Sequence, residues 1–116
     1  MSDEIRQVES EDIEITEEWE RLTSEPEIRG VSACLAGGEG WVVSIWAQEF
    51  YREQPLALEL RQRVQSALRA VPGVTSVGEH DNESWGVSGN PSGEALVRAA
   101  TSIVDELAER LREGAF

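Results

Sequence analysis

The residues best equipped for chemistry lie between Glu79 and Glu83, where His80 stands among Glu79, Asp81 and Glu83. Histidine and carboxylates are the donor set of a borderline divalent ion, and histidine is the commonest general base. The run sits where a strand meets a turn. A strand sends alternate side chains to opposite faces, so these groups diverge, and acids suit an exposed turn. No nucleophile stands where His80 could activate it. The single cysteine, Cys34, has small apolar neighbours and no cation near it in sequence, the setting of a buried, inert thiol. Gly37-Gly-Glu-Gly40 lacks the Gly-Lys-Ser/Thr ending of a phosphate loop, and Glu39 would repel phosphate, so it reads as a tight turn. These residues assign no catalytic group, no metal ligand and no cofactor, and the reading leans away from an enzyme.

Tryptophans are the sharper signal. Trp46 or Trp85, placed on an uncovered sheet face, would make a ready aromatic contact. RNA-binding sheets use such aromatics together with basic residues, and the strands around Trp46 and Trp85 carry none. A protein or a small molecule is then the expected partner, unless both rings are core residues covered by other parts of the chain. Trp19 reads as a docking residue. It shares a face with Leu22 three positions on, in a segment that Thr16 could cap as a short helix from Glu17 to about Ser24.

Charge narrows the partners further. The chain has a formal net charge of −13. Such a field disfavours phosphate backbones and anionic lipid, so neither nucleic acid nor a membrane is expected. Residues 1–27 hold 11 acids and 2 arginines, and residues 28–116 hold 12 and 8, so the excess sits in an acidic leader. All 10 basic residues are arginine, a usage that fits a GC-rich bacterial genome. One cysteine allows no internal disulfide, and the N-terminus has neither a basic start nor an apolar run. The expected location is the cytoplasm. The longest apolar stretch, Trp41 to Ala47, is far short of the about 20 residues a membrane helix needs.

The elements that must position these residues follow from periodicity. Gly30–Ala36 and Trp41–Gln48 flank the glycine turn as a hairpin, with Trp41, Val43, Ile45 and Ala47 on one face and Val42, Ser44, Trp46 and Gln48 on the other. Pro55 opens a helix whose stripe is Leu56, Leu60, Val64, Ala67, Leu68 and Val71, and Pro72-Gly73 ends it. Val74–His80 and Ser84–Ser88 form a second hairpin around Asp81-Asn82. Asn90-Pro-Ser-Gly93 starts the last helix, with Leu96, Val97, Ala100, Ile103, Val104, Leu107 and Leu111 in its stripe. From Pro91 to Glu113 it would reach about 34 Å, beyond strands of about 17–27 Å. Leu107 and Leu111 would then need cover from the leader or from a second copy.

The run Ala67-Leu-Arg-Ala-Val-Pro-Gly-Val-Thr-Ser-Val77 is similar to the helix-to-strand passage of heavy-metal-associated ferredoxin-like domains. Those domains carry a Cys-x-x-Cys pair just before the first helix, and Gln48–Pro55 has no cysteine, so the resemblance implies the fold and not the metal. The predicted architecture is α+β. It is a two-layer sandwich of a four-stranded antiparallel sheet with two helices on one face, in the order ββαββα. That is a ferredoxin-like plait, circularly permuted, with a short N-terminal helix added. Residues 1–27 form the leader and 28–116 a single domain. The expected function is a small non-catalytic interaction or accessory domain, self-associating or bound to a protein, with Trp19, Trp46, Trp85, His80, Leu107 and Leu111 as candidate contacts. Two alternatives stand beside it: an acidic inhibitor or chaperone of a basic protein, and a sensor or enzyme with a pocket near Trp46, Trp85 and His80.

Overall fold

Alternation decides the centre of the sheet. Trp41, Val43 and Ile45 are buried, while Val42, Ser44 and Trp46 turn to the other side, as a strand with one covered face requires. The computed structural model describes residues 4–9, 11, 13–23, 28–37, 40–47, 55–81 and 83–113. Its strands are β1 (Arg6–Gln7), β2 (Ile15–Leu22), β3 (Ile28–Ala36), β4 (Gly40–Ala47), β5 (Val74–Asp81) and β6 (Ser84–Gly89). Its helices are α1 (Pro55–Arg69), α2 (Gly93–Glu106) and α3 (Ala108–Arg112). The class is α+β. The strands form one antiparallel sheet of order β1-β2-β3-β4-β6-β5.

Both long helices lie on one face. Leu56, Leu60, Val64 and Leu68 of α1 and Leu96, Val97, Ala100 and Val104 of α2 meet Val31, Val43, Ile45, Trp85 and Val87 of the sheet. α1 packs over β5, and α2 reaches over β2 and β3. Ser92 caps α2 by accepting a hydrogen bond from the Ala95 amide. Its first residue must be small, because a Cβ on Gly93 would stand 2.5 Å from both Trp19 and Trp41.

Two expectations are corrected. The sheet has six strands and not four, because the leader joins it. The segment expected to be helical from Glu17 is β2, paired with β3 from Ile15 opposite Ala36 to Leu22 opposite Gly30. Helix propensity is a weak prior, and here strand pairing with a partly buried tryptophan outweighs it. Trp19 lies opposite Ala33, whose small side chain lets the indole pack beside Gly93 and Trp41. β1 and β2, the described strands of the leader, extend the sheet of residues 28–116.

The last helix is not continuous. It breaks at Leu107, whose amide is shared between the Ile103 and Val104 carbonyls, and Leu107 is buried in the chain's own core. The Leu111 side chain, Asn82 and the approach to α1 from Gln48 lie outside the described residues.

Candidate interaction surface

Register places every strand residue on one side of the sheet or the other. The side away from the helices carries Glu18, Glu20 and Leu22 of β2, Ser32 and Cys34 of β3, and Val42, Ser44 and Trp46 of β4. It continues with Ser84 and Gly86 of β6 and Gly78 of β5. No described helix packs on this face, yet Glu20, Ser32 and Ser84 in its middle are buried within the chain, so its exposed apolar part is the end at Trp46 and Leu22. The row Glu20–Ser32–Ser44–Ser84 crosses four strands, with Glu20 bound by Arg6 of β1 at 2.5 and 2.9 Å. Its carboxylate is therefore neutralised within the chain.

At one end of the face stands an apolar pair. Trp46 is 37% exposed and Leu22 46% exposed. Gly30 separates them, and a Cβ there would be 3.5 Å from each side chain and 2.9 Å from the Arg21 carbonyl. Trp46 is thus where the alternation put it. Leu22 escaped notice because it was paired with Trp19 on a helix. As a strand residue it alternates away from Trp19.

The other candidate contacts lie elsewhere. Trp85 is fully buried on the helix side, under Arg61, whose guanidinium lies 5.7 Å from the ring centroid. Arg61 is itself 5% exposed and pairs with Glu79 at 2.5 Å. An arginine on an amphipathic helix is expected on its solvated face, and Arg61 is not there. Its position four after Ala57 and three before Val64 was the signal that it borders the buried stripe. Trp46 and Trp85 point to opposite sides of the sheet, so they do not line one pocket. Trp19 packs internally, and its indole N–H donates to Glu17 at 2.6 Å.

His80 sits where the β5–β6 register slips between Glu79 and Asp81. Its Nδ1 is 3.4 Å from the Ser84 hydroxyl and 3.6 Å from the Asp81 carboxylate. Both partners use the same ring nitrogen. A base that relays a proton needs its nucleophile and its orienting acid on opposite nitrogens, so this trio is a turn network. Glu79 faces Arg61 instead, and among the described residues no three such groups converge as metal ligands would. The Cys34 thiol, pushed up to about 11 by burial and then by Glu18, against a smaller opposing hydrogen bond with Ser32, stays protonated near neutral pH.

Hydrogen bonds from Ser84 and from the Glu83 amide, at 2.8 Å, hold the Asp81 carboxyl below its ordinary value of 3.8. A lowered folded pKa stabilises the fold above the unfolded value, and that contribution is lost as pH falls through the folded one. Asp81→Ala should therefore lower the urea midpoint at pH 7, and the gap to wild type should close in acid below the carboxylate range. A gap that is the same at both pH values would rule out this role for Asp81.

Among the described residues no helix is long and apolar enough to cross a membrane. Comparison of the chain with protein-family models, curated proteins and solved structures finds no match.

Proposed function

We propose that the chain is a non-catalytic interaction domain whose working surface is the Trp46–Leu22 end of the sheet face away from the helices. The observation that carries this reading is the exposed Trp46–Leu22 pair on a face where no described helix packs. An aromatic anchor with a neighbouring aliphatic, ringed by small polar groups, is the composition of an interface centre. The architecture we assign is the permuted ferredoxin-like plait. β4-α1-β5 is a split β-α-β unit with β6 between its strands, and β3, preceding β4 in the chain, lies where the plait's last strand would return. β1 and β2 extend that edge.

A second reading keeps a basic protein as partner. Its support is that β1 and β2 of the acidic leader form one edge of the sheet, with Glu18 on β2 and Glu9 and Glu11 between the two strands.

Photocrosslinking tests the main proposal. A benzophenone amino acid at position 46 should give polypeptide adducts in the chain's native cells. The same group at Leu58, exposed on α1, serves as the control. Adducts no more abundant from 46 than from 58 would remove this end of the face as the working surface.

A further inference from the structure

β5 stands at one edge of the sheet, and its outer side is bare. Of its 8 residues, Thr75, Ser76, Gly78, Glu79, His80 and Asp81 are exposed, and only Val77 is buried. Among the described residues no strand pairs along that outer side. A strand paired on one side turns the N–H and C=O groups of alternate residues outward, where they form a template for another strand.

Proteins blunt such edges by shortening or covering them, or with lysine, proline or bulges. The opposite edge, β1, is cut to 2 residues. β5 contains neither lysine nor proline. Its register slips only near its ends, between Val74 and Ser76 and between Glu79 and Asp81. From Ser76 opposite Ser88 to Glu79 opposite Trp85 the ladder runs unbroken. Gly78 lies inside that stretch, and a Cβ on it would meet nothing within 4 Å. The position would take a guarding side chain without strain and has none.

The occupant follows from backbone and charge. A straight row of outward donors and acceptors is matched by extended polypeptide, which adds to the sheet as a strand. Charge then selects among polypeptides. One end of the edge carries Glu79, Asp81 and Glu83, with Arg61 as the cation bound to Glu79. The Asp81 side chain is 61% exposed. A second copy would set a net charge of −13 against another −13. The same field that repels acidic strands, this chain's own included, draws in a basic one.

We infer that the β5 edge is a docking site for an extended basic segment of another protein, which pairs with β5 and sets its arginines or lysines beside the Glu79–Asp81 end. β6 separates this edge from the strand that carries Trp46. The inference therefore goes beyond the proposal for Trp46 and Leu22 and does not depend on it.

A phage-displayed library of random peptides of about twelve residues, selected on the full chain, supplies the probe. The most enriched peptide should be rich in β-branched residues and in arginine or lysine, and its binding should weaken as salt rises. Amide exchange followed residue by residue by NMR should slow at least about tenfold at alternate positions between Ser76 and Glu79 when that peptide binds. Gly78→Lys supplies the missing guard and should weaken binding at least about tenfold. Gly78→Thr favours the strand without adding charge and should leave binding within about threefold of wild type. Trp46→Ala should leave it unchanged. No enriched peptide, peptides without basic residues, binding that slows no β5 amide, or equal binding to wild type and Gly78→Lys overturns the inference. The same alternate slowing in the chain alone, growing with its own concentration, would place a second copy on the edge and overturn it as well. Binding lost in Trp46→Ala would move the contact to the sheet face, so that this inference falls and the proposal for Trp46 stands.

Discussion

Gly89→Ala is expected to cost about 3–5 kcal/mol and to lower the melting temperature by about 12–20 °C. Gly89 has a φ of +106°, and Gly73 has +94°. A side chain on Gly89 would stand 2.2 Å from the Gly73 carbonyl oxygen and 2.9 Å from the Thr75 amide nitrogen. Both atoms are backbone, so no rotamer change relieves the clash. The Gly73 carbonyl also accepts the Asn90 amide at 2.9 Å, which fixes the two corners against each other. One corner carries the chain from α1 into β5, and the other carries it from β6 into α2. Strain at a positive φ costs about 1–3 kcal/mol, and overpacking adds about as much again. Thermal melts followed by far-ultraviolet circular dichroism read this directly. A variant melting within about 3 °C of wild type would show that these corners are not clamped.

The two sheet tryptophans should behave oppositely. Trp85→Ala is expected to cost about 3–5 kcal/mol, since it empties a fully enclosed volume. It also removes the ring beneath Arg61, which is held at Glu79 on the same side. Trp85→Phe should cost much less, because the indole N–H has no acceptor among the described residues. Trp46→Ala should cost far less, about 1 kcal/mol, because its ring is already partly in water on the side of the sheet away from the helices. Urea denaturation of the three variants separates the roles. Equal losses for Trp46→Ala and Trp85→Ala would contradict the placement of Trp46 at an exposed end of the face.

Much of the layered arrangement was legible because it rests on short-range patterns. Val42, Ser44 and Trp46 alternate with Trp41, Val43 and Ile45, and the strand follows that alternation. Leu56, Leu60, Val64 and Leu68 mark one helical face, and Pro72-Gly73 ends it with a glycine at positive φ. β2 was not legible for a physical reason. Glu17, Glu18 and Glu20 favour a helix, and Trp19 with Leu22 fits helical spacing. Only the partner strand, with Ala33 opposite Trp19, decides otherwise, and that partner is distant in sequence. The candidate surface was half visible for the same reason. Trp46 is placed by its own strand, whereas Leu22 joins it only through the register of its neighbours. Trp85 and Leu107 were offered as contacts because burial from a second layer leaves no mark in a strand or a helix end.

The placement of α2 over β2 and β3 also sets an order of events during synthesis. Those strands leave the ribosome early, but the helix that shields Trp19, Val31 and Ala33 is made after every strand it covers. Until then the first half of the sheet presents its apolar side to other nascent chains, the condition under which proteins aggregate. The strongly negative leader emerges with that half. Like charge on such intermediates would oppose their association until α2 is made.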